Sequence, residues 1–316
     1  MENFVAPKPK NGESWDVVII GSGPAGLTAA IYTTRGAAST MIVAGSSWGG
    51  QLMLTSTVDN YPGFPEGVEG PDLMAKMRSQ AERFGTFFVQ DNVTSVDLAK
   101  KPFEIFISKD KYLAKSVIVA TGAETVWLDV PGVKELIGHG VSSCASCDAP
   151  FFKDKKVAVV GGGDSAMEEA LILAKYASEV TIIHRRDIFR ACEAMQVKVK
   201  ANPKIKILFN CEVAQIGGQD RIENLTVKNN KTHQTTKINF DGLFVAIGHK
   251  PKSEIFTGQL TMDEKKFIKI ISPHSKTSVP GVFVAGDVMD PYYKQAATAV
   301  GSGCAAALEV LEYLEK

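Results

Sequence analysis

The chain has 316 residues, 45% hydrophobic and 22% charged, which is enough apolar material for about two ordinary domains and excludes a wholly disordered chain. Lys plus Arg and Asp plus Glu each number 35, which excludes a nucleic-acid binder, since that needs a basic excess on one face. No apolar run approaches the ~20 residues of a membrane span, and five cysteines are too few for a disulfide scaffold.

Residues 1–15 are polar, with Pro7, Lys8, Pro9, Lys10 and Gly12. They lack the apolar segment of a secretory signal, which predicts a cytoplasmic protein. Asp16-Val17-Val18-Ile19-Ile20 then reads as a buried parallel strand. Gly21-Ser22-Gly23-Pro24-Ala25-Gly26 follows at once, then the helical stretch Leu27–Tyr32, and Thr40–Val43 completes a βαβ unit.

The same pattern recurs later in the chain. The strand Lys156–Val160 runs into Gly161-Gly162-Gly163-Asp164-Ser165-Ala166, the helical stretch 167–174 and the strand Val180–Ile183. Apolar strands ending in glycine frame this second unit, at 117–122 and at 243–248, and a final helix is expected from about Tyr293 to Leu314. The predicted fold class is α/β, with two Rossmann-like, three-layer dinucleotide-binding domains, the second inserted into the first. The expected boundaries are 1–121 and 248–316 for the first domain and 122–247 for the insert.

A glycine-rich turn between strand and helix binds pyrophosphate for physical reasons. The first Gly allows the tight turn, the second lets backbone approach the phosphates, and the third lets helix pack on strand. The helix N-terminus adds free N–H donors and a positive dipole end. Gly21, Gly23 and Gly26 satisfy this context, and so do Gly161, Gly163 and Ala166.

Nucleotide identity is read about 20 residues on, where the second strand ends. In the insert that place holds His184-Arg185-Arg186-Asp187-Ile188-Phe189-Arg190. Arg185, Arg186 and Arg190 offer bidentate donors for a 2′-phosphate, which favours NADPH over NADH. In the first domain the place holds Val43-Ala44-Gly45-Ser46-Ser47-Trp48, with no acidic residue for a ribose; Ser46 or Ser47 is the available substitute. Trp48 is read either as a plate against a flat ring or as a packing residue. Gly45-Ser46-Ser47-Trp48-Gly49 also fits the G-x-S-x-G nucleophile elbow. That elbow needs a helix directly after it, and 49–52 followed by Thr55-Ser56-Thr57 is a poor helix start, so a hydrolase is set aside.

Cys144-Ala145-Ser146-Cys147-Asp148 is the chemical centre of the sequence. Cysteines at i and i+3 on a first helical turn come within disulfide reach, and a helix start favours the attacking thiolate. Structural zinc, the rival reading, normally needs a second ligand pair, and none stands at metal spacing. Cys192, Cys211 and Cys304 are isolated and read as small buried hydrophobes. The pair lies just before the second glycine turn, so electrons are expected to pass from nicotinamide to disulfide. A flavin joins those two chemistries, and the first site is free to hold it as FAD.

Taken together, these motifs resemble the low-molecular-weight thioredoxin reductases. The resemblance also covers Gly49-Gly50-Gln51-Leu52, Asn60-Tyr61-Pro62-Gly63-Phe64, Ala120-Thr121-Gly122 and Gly286-Asp287-Val288. It implies a homodimer that reduces thioredoxin, or a thioredoxin-like protein, with NADPH through one FAD per subunit. By resemblance, Cys147 faces the flavin, Cys144 attacks the partner disulfide, and Asp148 is the acid–base group. Asp287 binds the ribityl chain. The implied FAD contacts further include Pro24, Ala25, Ser46, Gly50, Gln51, Asn60, Val93, Thr121, Gly122, Gly286, Lys294, Gln295 and Ala296. The implied NADPH contacts add Asp164, Ser165 and His184 to the glycines and arginines above.

Ser146 and Lys294 depart from the family's usual Thr and Arg. A dithiol oxidase or a ferredoxin-driven reductase of the same fold would need no NADPH, and the intact second glycine turn argues against both. One flavin must serve both nicotinamide and disulfide, so the insert is expected to rotate about Thr121-Gly122 and Gly248-His249. Tyr292, Tyr293 and the Phe151-Phe152 pair are read as packing residues.

Overall fold

The computed structural model describes residues 5–10, 12–55 and 57–316; residues 1–4 of the polar leader, with Asn11, and Ser56 of the stretch set against the elbow lie outside the described residues. The chain forms two compact units, residues 1–124 with 250–316, and residues 125–249. Among the described residues, no helix is long and apolar enough to cross a membrane.

The first unit is built on a seven-stranded sheet. Its parallel part runs Phe87–Val89, Thr40–Val43, Ser14–Ile20, Asp110–Val119 and Val282–Val284. A meander of Val93–Asp97 and Phe103–Ile107 extends it antiparallel along the first half of Asp110–Val119. The central strand Ser14–Ile20 is apolar and fully buried from Val17 to Ile20, because both faces are covered there. Val17 and Ile19 enter one core with Leu27, Ala29, Ala30, Phe283, Ala306 and Val310. Val18 and Ile20 enter the opposite core with Val117, Val119, Phe103, Ile105 and Phe256. Full burial of one such side chain contributes roughly 1.5–3 kcal/mol. The helices Pro24–Arg35 and Ala296–Leu314 approach closely: a Cβ at Gly303 would overlap the Ala25 carbonyl oxygen.

The second unit repeats the scheme with a five-stranded parallel sheet. Its order is Val141–Ser142, Gly242–Ala246, Lys156–Gly161, Glu179–His184 and Ile205–Phe209. A three-stranded antiparallel sheet, Cys211–Gly217, Asn224–Asn229 and Thr235–Asn239, accompanies it. Alternation again feeds two cores, Val157 and Val159 on one side, Ala158 and Val160 on the other.

Several sequence expectations need correction. The last helix begins at Ala296, three residues later than expected, because Lys294 takes a left-handed φ of 49° and Gln295 makes a capping box with Thr298. The stretch after Gly49 does turn: a left-handed Gly49 (φ 88°) opens one turn of 3₁₀ helix, Gly50–Leu54. Tyr292 and Tyr293 are 83% and 70% exposed, so they are not packing residues. The phenylalanine pair divides: Phe151 is exposed, while Phe152 packs edge-on against Phe244 at 5.2 Å. Of the isolated cysteines, Cys211 is buried, Cys304 is half-buried beside Tyr32, and Cys192 is exposed.

Candidate functional site

In the first unit the glycine turn opens a cavity of about 530 Å³. A Cβ at Gly26 would overlap the Gly21 carbonyl oxygen, whereas one at Gly23 would meet nothing within 4 Å. Gly26 therefore lets helix lie on strand, and Gly23 leaves open space for a ligand. Gly23 caps the helix Pro24–Arg35 without a side-chain hydrogen bond, and Pro24 at its start removes one spare donor. The starts of this helix and of Ala296–Leu314 both line the cavity, through Pro24, Ala25 and Ala296. Unpaired N–H groups at helix starts suit an anion.

The other expected residues fall in the same place. Gly21, Ser46, Gly50, Gln51, Val93, Thr121, Gly122, Gly286, Asp287, Lys294 and Gln295 all line the cavity. Asn60 is not part of the lining; its amide donates to Gln295 Oε1 at 3.2 Å. Trp48 is not part of it either. It packs on the first core, with the Arg78 guanidinium 4.8 Å over its ring, which answers its role in favour of packing.

Burial holds the Asp287 carboxyl up at about 6; Asp290 pushes the same way and Lys294 opposes. Lys294 is drawn below its ordinary value, chiefly by burial, against the pull of Asp290 and Asp287. Its ammonium donates to the Pro291 carbonyl at 2.8 Å and its N–H to Asp290 at 2.9 Å.

Two contributors to this cavity escaped the sequence reading. Ser22 is buried, donates to the Ala44 carbonyl at 2.8 Å and accepts the Gly49 N–H at 3.0 Å, joining two loops that line the wall. Asn92 accepts the Ser46 N–H at 3.1 Å and donates to Ser46 Oγ at 3.2 Å. This pair stands where an acidic residue is missing.

In the second unit Gly161 admits no side chain, since a Cβ would lie 2.5 Å from the Ala246 oxygen and 2.6 Å from the Ala166 Cβ. Gly163 caps the helix Asp164–Leu173 and is open around its own Cβ position. The loop after Glu179–His184 is pinned to this turn: Arg190 and Ala191 N–H both donate to the Gly162 carbonyl, at 2.7 and 3.1 Å. Arg185, Arg186 and Arg190 are exposed beside it. His184 is buried against Gly162, packs at a tilt against the Phe189 ring, and bonds the Ile188 carbonyl at 3.0 Å. It shapes the loop from below. Asp164 accepts the Cys192 N–H at 2.8 Å, Ser165 is exposed, and Ala166 is buried.

Cys144 and Cys147 are joined to one another, with Cα atoms 5.3 Å apart. Cys144 caps the turn Ala145–Asp148, and its carbonyl accepts the Cys147 and Asp148 N–H groups. Ser142 Oγ accepts the Cys144 N–H at 3.0 Å. It also donates to Asp148, whose carboxyl burial nevertheless raises above its ordinary value. A carboxyl so raised beside a disulfide is suited to taking up and releasing a proton there.

Residues 15–303 match the model of the pyridine nucleotide-disulphide oxidoreductases. The chain belongs to that family. Among relatives, it is 50% identical over 304 residues to a thioredoxin reductase of Rickettsia felis, covering 95% of this chain and 98% of that one. A thioredoxin reductase of Streptomyces clavuligerus is 49% identical, covering 95% and 94%. The solved thioredoxin reductase of Streptococcus pyogenes superposes with a TM-score of 0.91 at 39% identity, covering 96% of this chain and 98% of that one. The resemblance read from the motifs is thus borne out, as are the α/β class and an oxidoreductase activity. Membership of the pyridine nucleotide-disulphide oxidoreductases implies a flavin and a nicotinamide cofactor. The glycine cradle, the paired helix starts and the half-buried Asp287 fit such groups.

Proposed function

We propose that this enzyme reduces the disulfide of thioredoxin, or of a thioredoxin-like protein, at the expense of NADPH through bound FAD and the Cys144–Cys147 pair. The observation that carries the reading is a closed C-x-x-C disulfide, with a raised Asp148 carboxyl on the same turn, just before a dinucleotide cradle.

FAD is assigned to the first unit. Gly23, Pro24, Ala25 and Ala296 would hold its pyrophosphate, Asp287 its ribityl chain, and the Ser46–Asn92 pair its adenosine ribose. NADPH is assigned to the second unit, with its pyrophosphate at Gly163 and its 2′-phosphate at Arg185, Arg186 and Arg190. The flavin, when bound, accepts a hydride and returns two electrons to a disulfide.

The protein's own tasks follow from placement. Ser142 orients Cys144 and Asp148. Asp148 supplies or removes the proton at the thiols. Cys144, first in the motif, attacks the partner disulfide, and Cys147 remains to resolve the mixed disulfide. Rotation of the second unit about Thr121-Gly122 and Gly248-His249, which lie within a few residues of the unit boundaries, belongs to the same proposal; a crosslink between the units that left turnover unimpaired would refute it. A homodimer and a cytoplasmic location, where thiols are kept reduced, complete the reading. Sedimentation and fractionation test these two points.

The central test is an anaerobic titration. NADPH is expected to bleach the flavin absorbance, and oxidised thioredoxin to restore it. A protein that purifies colourless and takes up no FAD on reconstitution overturns the reading.

A further inference from the structure

One buried carboxyl beside the dithiol has no part in the scheme above. Glu169 lies on the helix Asp164–Leu173, which packs on the dithiol turn through Ala145, Ala149, Met167 and Ala170 of one core. Its Oε2 atom is shut off from solvent and has no hydrogen-bond partner among the described residues. The Ala145 N–H is directed at the same carboxyl. Ala145 follows Cys144 and opens the turn that carries Cys147, so Glu169 meets the backbone between the two sulfurs.

We propose that Glu169 is a positioning residue for the dithiol: as a neutral carboxyl it accepts the Ala145 N–H and tolerates a thiolate in the opened pair, and as a carboxylate it suppresses that thiolate. The inference rests on reading Cys144–Cys147 as the working dithiol. A neutral acceptor satisfies the buried N–H, which is costly to leave unpaired, without placing a charge beside the sulfurs. An anion in the same place repels a thiolate and raises the thiol's titration.

Burial pushes Glu169 up to about 8, the Asp148 and Glu168 carboxylates push the same way, and the Ala145 N–H opposes. Those two carboxylates are the charges that act on it. The other elements packed on its helix are the turn Ala149–Phe152, the helix Glu193–Ala201 and the strands Lys156–Gly161, Glu179–His184 and Gly242–Ala246. They place no charge against it among the described residues. Opening the disulfide adds the Cys144 and Cys147 thiols to the cluster. Glu169 is therefore neutral at pH 7 and ionises at the edge of the alkaline range.

The test reads thiol chemistry directly. The holoenzyme is reduced with dithiothreitol, desalted anaerobically and alkylated with iodoacetamide from about pH 6.5 to about pH 9.5. Peptide mass spectrometry then follows Cys144 and Cys147 apart from exposed Cys192. Glu169→Gln is expected to alkylate like the unmodified protein at the acid end and faster above about pH 8, by up to about tenfold while the thiol stays mostly protonated, the limit set by one unit of thiol titration. The unmodified protein is expected to show a second bend near pH 8 that Glu169→Gln lacks. Superimposable profiles overturn the proposal. Should the variant fail to fold, the unmodified protein decides alone, since a single ionisation with no bend near pH 8 overturns it equally. Thioredoxin turnover is scored separately. A bend without turnover supports this inference and sinks the function reading, whereas turnover without a bend does the reverse.

Discussion

Gly161→Ala and Gly163→Ala add the same methyl group to one turn and should do opposite things. A methyl at Gly161 lies 2.5 Å from a backbone oxygen and 2.6 Å from a buried Cβ, nearly 1 Å inside ordinary contact on two sides. Overpacking of this kind costs about 1–3 kcal/mol, and the loss of unfolded-chain freedom returns about 0.4–1 kcal/mol. The net loss is about 1–2 kcal/mol in a unit of residues 125–249, or roughly 3–10 °C in its unfolding midpoint. A methyl at Gly163 meets nothing, and its φ of −101° suits any residue, so its midpoint should stay within about 2 °C. It does project into the open side of the cradle, where the nucleotide pyrophosphate is assigned. Binding of NADPH should weaken about 10- to 100-fold, the equivalent of one or two charge-assisted hydrogen bonds. Differential scanning calorimetry and NADPH titration calorimetry on both variants read the two effects. A Gly163→Ala midpoint that falls as far as that of Gly161→Ala would refute the division of labour, as would a Gly161→Ala protein indistinguishable from the parent.

Cys147→Ser should abolish thioredoxin reduction while anaerobic bleaching of bound flavin by NADPH persists; surviving turnover would end the dithiol mechanism. Replacing Arg185 and Arg190 by Gln should raise KM for NADPH by about 100-fold or more, at roughly 1.5–3 kcal/mol for each lost charged hydrogen bond, with little change for NADH. Equal effects on the two nucleotides would remove the 2′-phosphate assignment. Asp287 titrates at about 6 in the folded protein, above its ordinary value. The folded state thus binds more protons than the unfolded state between about pH 4 and about pH 6. The contribution is whole below that window and is lost as pH rises through it. In cofactor-free protein, Asp287→Asn should flatten this fall and add about 1–3 kcal/mol at neutral pH. A midpoint that rose with pH across the window in both proteins would contradict the assignment.

Both glycine turns were legible because strand, turn and helix are consecutive, and each glycine's role depends on neighbours within a few residues or on the adjacent strand. The cysteine pair was legible for the same reason. Asn92 was not, because it reaches Ser46 only through strand order: Phe87–Val89 lies beside Thr40–Val43, so the loops that follow them meet. Glu168 and Glu169 are adjacent and chemically alike, and periodicity alone does not say which one a neighbouring turn covers. The buried positions Ala166, Met167 and Ala170 place Glu169 beside the packed face and leave Glu168 outside. Tyr292, Tyr293 and Phe151 misled because aromatic character indicates burial only on average. The start of the last helix slipped because a left-handed Lys294 leaves no compositional mark.

The first unit is completed by segments that follow the second unit in the chain. Its sheet takes Val282–Val284 against Val117–Val119, and the helix Ala296–Leu314 covers Leu27, Ala29 and Ala30. By His249 the ribosome has delivered every residue of the second unit, while the first still lacks a strand and a helix. The enclosed unit can finish folding before the one that encloses it, and the nascent apolar face of Pro24–Arg35 must wait, uncovered, through most of synthesis. A message truncated before Val282 would thus release a finished nucleotide cradle with its disulfide, attached to an open and adhesive half-sheet.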